Sequence, residues 1–534
     1  MIINPILKGF NPDPSICRVG NDYYIATSTF EWFPGVQIHH SRDLANWTLI
    51  THPLNQTDWL DMRGHPNSCG IWAPCLSYSD GVFYLVYTDV RDYQTDYQSR
   101  KNYLITSRDI MGPWSDPIFL NSSGFDPSLF HDNDGRKWLL NVLWDHRPEP
   151  SINHHRAAKF FSGIIAQEFD SKKEGLVGPI HNIFEGSELG LVEGSHLYRI
   201  NGYYYLLTAE GGTFSHHASL FARSKNLLGP YEIDPQMHFL TSAGHHTNEL
   251  QRAGHGDLVT LPNGDHYFVH LASRPLPNRG RSVLGRETAI QKVSFSDSGW
   301  PRLSHGQKNP LLETHNSLGF DSTLEFQKEH FDFSTDKLTI HYQSPRFPLL
   351  EPILSYSARP GYLRLKGQEP PTSLYEQSLI ARRQQAFCFT AETTLDFNPK
   401  SFQQMAGLMS FYNTQKFIYL CLTHDESLGR VIEIVMATME GKMLYPLGQR
   451  IPLPKGQIRL KIQVEWDQWR GFWATESGNW NSLGGYIDYS GLADEVGAEH
   501  FTGAFVGMAC HDLSGQFINA DFQSFSYNEY NSNQ

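Results

Sequence analysis

The sequence predicts an all-β protein in which a five-bladed β-propeller is followed by a β-sandwich. Three observations carry that expectation. A strand-turn-strand unit recurs five times at a spacing of about sixty residues. Helical periodicity is scarce, whereas apolar and polar residues alternate in strand fashion, as in Leu338-Thr339-Ile340-His341-Tyr342. From Pro301 the repeat stops while the alternation goes on, so a second domain of a different kind follows.

The repeat is marked by an aromatic strand in each unit. These strands run over 21–26, 81–86, 135–140, 202–207 and 264–269, from Asn21, Gly81, Gly135, Gly202 and Gly264 respectively, and read Tyr-Tyr-Ile, Phe-Tyr-Leu, Lys-Trp-Leu, Tyr-Tyr-Leu and His-Tyr-Phe at their centres. A short apolar strand precedes each, joined to it by a Gly/Asn/Asp turn of the hairpin kind. A later signature, Ser41-Arg42-Asp43-Leu44-Ala45-Asn46-Trp47, Met111-Gly112-Pro113-Trp114 and Leu228-Gly229-Pro230-Tyr231, reads as the turn and outer strand of the same blade. Sheets of about four strands at this spacing are propeller blades, because radial stacking buries both faces of every sheet. Residues 1–302 are therefore expected to form the propeller, 303–321 a linker and 322–534 the sandwich, a division that also suits a length of 534 residues, too great for one hydrophobic core.

Composition narrows the function. The net charge of −13 repels nucleic acid and anionic membranes, so neither is an expected partner, and a neutral substrate fits better. An aromatic share of 13% exceeds what a core requires and suits the stacking of apolar sugar faces. The start, Met1-Ile2-Ile3-Asn4-Pro5, carries no basic segment ahead of an apolar stretch, and no run of about eighteen apolar residues occurs, so a soluble cytoplasmic protein is expected. Six cysteines without Cys-x-x-Cys spacing read as reduced thiols.

Aligning the units on their first short strand gives one equivalent position in each: Asp13, Ala73, Asp126, Glu193 and His255. In a propeller the first strand of every blade lines the axis, so these five side chains are expected to converge. An isolated Asp13-Pro14 is more often a turn than a catalyst. Three acids on one ring are a different matter, since crowded like charges are costly unless neutralised or used. Two carboxyls flanking a pocket are what glycosidic cleavage requires: one protonates the departing oxygen while the other activates water or attacks the anomeric carbon.

On these residues the sequence resembles the family 43 glycoside hydrolases, in particular the β-xylosidase group with a five-bladed propeller and a C-terminal concanavalin A-like sandwich. The motifs that carry the likeness are Asn11-Pro12-Asp13-Pro14-Ser15-Ile16, Ser28-Thr29-Phe30-Glu31-Trp32-Phe33-Pro34-Gly35-Val36, Gly124-Phe125-Asp126-Pro127-Ser128-Leu129, Glu193-Gly194-Ser195-His196-Leu197-Tyr198 and Leu284-Gly285-Arg286-Glu287-Thr288. The resemblance implies an inverting exo-enzyme that releases xylose from β-1,4-xylo-oligosaccharides, with Asp13 as general base, Glu193 as general acid and Asp126 raising the acid's proton affinity. An inverting pair leaves room for a water, which needs a carboxyl separation of roughly 6.5–9.5 Å. The likeness also implies Phe30, Trp72 and Trp144 as apolar walls, Arg286 as a donor to sugar hydroxyls, and Phe505 in a sandwich loop that closes the pocket.

His255 has two readings in such relatives, as the holder of an axial divalent ion through water or as a hydrogen-bond partner of Asp126. No cofactor is required by the chemistry, and a Ca²⁺ near His255 is the one ion the resemblance suggests. The pairs His39-His40, His154-His155, His216-His217 and His245-His246 share no metal-binding frame and read as loops and strand edges. An α-L-arabinofuranosidase, as sole or side activity, and a sugar-binding propeller without catalysis are the competing functions. A homodimer or homotetramer is the expected assembly.

Overall fold

The computed structural model describes residues 1–147, 160–437, 441–497 and 501–532, so His154 and His155 lie outside the described residues. Five antiparallel blades surround one axis, as the repeat predicts. The first orders its strands Ser15–Val19, Asp22–Thr27, Gln37–Ser41 and Thr48–Thr51 from the inside out, and the second Gly70–Ser79, Val82–Asp92, Ser99–Ser107 and Ile118–Asn121. The third, fourth and fifth begin at the axis with Ser128–His131, Glu193–Ile200 and Gln251–Thr260. Each aromatic strand of the sequence repeat is the second strand of its blade. Strand alternation sends its apolar side chains to both faces, where neighbouring blades press on them. Ala26, Ile38, Leu76, Leu85 and Ile105 fill the space between the first two blades, and Leu140, Ile164, Leu197, Leu206 and Leu220 that between the third and fourth.

The ring is closed by the N-terminal segment rather than by a shared strand. Leu7 exchanges backbone hydrogen bonds with Thr288 in the fifth blade, and the Asn4 side chain bonds Ile290 in both directions, as donor to its carbonyl and acceptor from its N–H. Ile2–Ile3 pairs with Glu313–Thr314, so the stretch after the last blade packs back onto the propeller.

The C-terminal domain stacks an eight-stranded on a nine-stranded antiparallel sheet, with Phe389, Leu408, Leu420, Ile462, Trp469 and Phe525 among the residues between them. The propeller contributes the short strand Trp32–Phe33 to an edge of the larger sheet, where Phe33 pairs with Ser344 and Trp32 with Pro345. Phe10, Phe30 and Trp32 of the propeller join Leu379, Phe411 and Phe505 of the sandwich in a single apolar cluster. The two domains thus share a core beside the hub, which fixes sandwich loops at the mouth of the axial site.

Candidate active site

The axial ring is real, but its register differs by one residue in the fourth blade. Pairing to the second strand makes Ser15, Cys75, Ser128, His196 and Asp257 equivalent, opposite Ala26, Val86, Leu140, Leu207 and Val269. Two residues before them stand Asp13, Ala73, Asp126, Gly194 and His255. Glu193 therefore belongs to the preceding ring, with Pro12, Trp72, Phe125 and Gly254.

Backbone conformation explains the shift. Asp13, Ala73, Asp126 and His255 all adopt left-handed φ, between 35° and 54°, and in the fourth blade the residue with φ 57° is Gly194. Such a kink is strained for a residue with a side chain, and strain of this kind collects at functional sites. At Gly194 a Cβ would stand 3.0 Å from the His255 ring, so a glycine there leaves the hub to the imidazole. Its N–H donates to Asp126 Oδ2 at 3.2 Å, tying the fourth blade to the third. A bulge lies between Glu193 and His196, as it does between Trp72 and Cys75 at the equivalent place in the second blade.

The three acids meet in one electrostatic neighbourhood with unlike surroundings. Asp13 accepts from Arg286 Nη1 at 2.9 Å and from Ser28 Oγ at 2.7 Å, and Ser28 is itself fixed by the Ala73 N–H at 2.7 Å. Both Asp13 oxygens are thus engaged by donors. Asp126 is pushed up from 3.8 to about 8, chiefly by burial and then by the charge of Asp13. Glu193 is raised well above the carboxylate range by burial, with Asp126 and Asp13 adding to it while Arg286 and Arg100 oppose. Asp126 and Glu193 titrate as a pair, and that pair retains a proton at neutral pH. The guanidinium charges of Arg286 and Arg100 oppose both shifts.

His255 Nδ1 lies 3.9 Å from both Asp13 Oδ1 and Asp126 Oδ2, too far for a direct hydrogen bond. Burial lowers it to about 4, so the ring is neutral. Beneath it Asp13, Asp126, His196 and Gly194 line a cavity of about 10 Å³, room for about one water that could bridge these groups. A hard cation such as Ca²⁺ requires six to eight oxygen ligands, and that space holds no such shell. No group of three His, Cys, Asp or Glu among the described residues is disposed to hold a metal. The donors at His255 do not fit the ion.

The walls are aromatic. Trp72 meets Phe30 at 5.6 Å and Phe125 edge-on at 5.9 Å, while Trp144 packs on Phe160 and Phe161 at the end of its strand. Phe505, expected to close the pocket, does not reach it. It is fully buried in the interdomain cluster, stacked on Trp32 at 3.6 Å, because Phe505–Asp512 is an interior strand of the sandwich. The sandwich residue at the site is Phe501, four positions earlier in the same motif, whose ring meets Phe30, Trp72 and Tyr93 and whose carbonyl accepts from Arg286 at 3.1 Å. Gly285 permits this approach: at φ 70°, its Cβ would lie 2.2 Å from the Thr502 carbonyl.

Arg100 is the other residue that sequence reasoning missed. It sits on the third strand of the second blade, outside the aligned ring, and no motif flags it. Its guanidinium lies 4.1 Å from the Phe125 ring and 4.3 Å from Trp144 and acts on Asp126 and Glu193. Burial draws it down to about 9, which still leaves it cationic at neutral pH.

A hub that sets a donor-held carboxylate beside a proton-retaining carboxyl pair, under aromatic walls, defines a glycoside hydrolase. The comparisons with known proteins agree. The family model for glycosyl hydrolases family 43 matches residues 2–301, and that of the beta-xylosidase C-terminal concanavalin A-like domain matches 330–528. The chain belongs to glycoside hydrolase family 43. It is 48% identical to xylosidase/arabinosidase 43B of Humicola insolens over 98% of this chain and 97% of that one, and 46% identical to a beta-xylosidase of Bacillus subtilis strain 168 over 99% of both. The crystal structure of a xylan beta-1,4-xylosidase from Bacillus halodurans C-125 superposes with a TM-score of 0.95 at 48% identity, covering 99% of this chain and 100% of the other.

Proposed function

We propose that the protein is an inverting exo-β-xylosidase that removes xylose from the non-reducing end of β-1,4-xylo-oligosaccharides. The contrast between Asp13 and Glu193 is the observation that carries the mechanism. Asp13, held by Arg286 and Ser28, is suited to take a proton from water as that water attacks the anomeric carbon. Glu193, whose proton is retained through burial and the charges of Asp126 and Asp13, gives that proton to the glycosidic oxygen as the carbon–oxygen bond breaks. Asp126 keeps the acid protonated and is anchored by the Gly194 N–H. The product is one hemiacetal and one shortened chain, and the proton gained at Asp13 replaces the one lost at Glu193 once it passes through solvent. Phe30, Trp72, Phe501 and Trp144 offer the apolar faces on which a pyranose packs.

Proton NMR of the first-formed sugar tests the stereochemistry. A β-xyloside should give α-xylose first, and initial β-xylose would overturn the assignment. The xylosidase and arabinosidase names of close relatives favour a second activity on α-L-arabinofuranosides, and kcat/KM on the two aryl glycosides decides the order. Xylo-oligosaccharides that bind yet stay intact would instead mark a non-catalytic module.

Cytoplasmic residence belongs to the same reading, supported by six buried cysteines that are all unbridged. So does self-association as a homodimer or homotetramer, favoured by exposed Phe320, Leu324 and Phe326 within residues 320–326 and measurable by light scattering. The reaction as drawn uses no cofactor.

A further inference from the structure

We infer that Arg100 is a specificity-determining residue that donates hydrogen bonds to hydroxyls of the sugar on the leaving-group side of the scissile bond. The inference rests on the xylo-oligosaccharide reading above and deepens it.

Arg100 is 6% exposed, and its Nε and Nη1 have no hydrogen-bond partner. Buried guanidinium donors are ordinarily satisfied, because an unmade hydrogen bond to a charged group costs more than a neutral one. Nε and Nη1 are enclosed beside the Phe125 and Trp144 rings, so a ligand bearing acceptor oxygens would meet the guanidinium at Nη2. Phe125 and Trp144 hold the guanidinium against their rings, so few rotamers remain to be lost when a ligand arrives.

Its place among the charges indicates which part of the substrate it meets. Arg286 bonds Asp13 and acts on Asp126 and Glu193 as well, whereas the carboxyls acting on Arg100 are Asp126 and Glu193. Inversion requires the attacking water and the departing oxygen on opposite faces of the anomeric carbon. A cation grouped with Glu193 and apart from Asp13 lies toward the departing sugar. The surroundings lead the same way, outward. Trp144 is half-buried, and its indole N–H donates to the Asp96 carbonyl at 3.0 Å, next to Tyr97, which is 77% exposed. An exo-acting pocket must release the remainder of its chain toward such a rim. A planar fork of donors suits the adjacent equatorial hydroxyls of a pyranose, whereas a counterion for Asp126 and Glu193 needs only charge.

The test compares xylobiose with methyl β-xyloside in wild type, Arg100→Met and Arg100→Lys. Both substrates have poor leaving groups that need the acid, but only xylobiose carries ring hydroxyls beyond the scissile oxygen. The ratio of kcat/KM for xylobiose to that for methyl xyloside should fall at least about tenfold in both variants. In Arg100→Lys, which keeps the charge, the alkaline limb of the pH profile should stay in place. Should Arg100→Met fail to fold, the lysine variant alone carries the comparison. Equal losses on the two substrates, or a ratio restored by lysine, overturn the inference and leave Arg100 as a counterion. A wild-type enzyme that leaves both xylosides intact overturns the substrate reading and this inference together, an outcome distinct from cleavage with an unchanged ratio.

Discussion

Arg286 and Asp13 stand 273 residues apart in the chain and form a 2.9 Å hydrogen-bonded ion pair in which neither side chain is more than 6% exposed. The pair forms because the N-terminal segment runs beside the third strand of the fifth blade, where the Asn11 N–H donates to the Arg286 carbonyl at 2.9 Å. Closure of the propeller and placement of the proposed base are therefore one event. The same guanidinium reaches the Phe501 carbonyl, so the sandwich is coupled to the base through a single side chain.

Replacing Asp13 by Ala should lower kcat on every substrate by ~10²–10⁴-fold, the range for losing general-base assistance. Arg286→Lys keeps a charge but loses the fork that spans Asp13 and Phe501, so activity should fall without being abolished. Steady-state kinetics on an aryl xyloside measure both, and an Asp13→Ala variant within twofold of wild type would remove this residue from the mechanism.

Glu193→Ala should harm xylobiose far more than 4-nitrophenyl β-xyloside, because a nitrophenolate leaves with little protonation whereas a sugar alkoxide does not. Parallel kcat/KM measurements check the difference. Equal losses would take the acid role away from Glu193.

The raised proton affinities also make a stability statement. Asp126 and Glu193 hold protons more tightly when folded than when unfolded, so their contribution is fully present below the unfolded carboxylate range. It is lost as pH climbs through the folded value, about 8 for Asp126. His255 acts at the other end: depressed to about 4, it stays neutral when folded while the unfolded chain protonates it below its ordinary 6.5, so stability falls as pH drops across that window. Asp126→Asn should therefore raise Tm relative to wild type at pH 9 by a few °C, with little difference at pH 4. Calorimetry at both values decides, and an equal shift at both would contradict the assignment. Activity should fall in the same variant, since Glu193 loses the neighbour that helps to keep it protonated.

Hub residues were legible in the sequence wherever the repeat register reports position. Asp13, Asp126 and His255 align because each stands two residues before a first-strand residue paired with an aromatic repeat strand. Glu193 was found although the alignment there is off by one, since Gly194 takes the kink that a side-chain residue takes in the other blades. Arg286 was found through its motif. Arg100 was not, because a third-strand residue reaches the axis only through packing on Phe125 and Trp144, which no local pattern encodes. The misplacement of closure onto Phe505 has a related cause: in Phe501-Thr502-Gly503-Ala504-Phe505, both aromatics suit a pocket or a core, and only the strand boundary at Phe505 separates them.

That boundary supplies a last pair of expectations. Phe501 touches Phe30, Trp72 and Tyr93 at the mouth of the site, so Phe501→Ala should lower kcat/KM for xylosides about tenfold or more by opening the pocket to water, while Tm moves little. Phe505 is stacked on Trp32 in the shared core, so Phe505→Ala should cost about 3–5 kcal/mol and loosen the junction of the domains. Its kcat/KM at low temperature, where the variant stays folded, should remain closer to that of wild type than that of Phe501→Ala. Thermal melts paired with kinetics on both variants separate the roles. A large activity loss with unchanged Tm for Phe505→Ala would return the closing role to that residue.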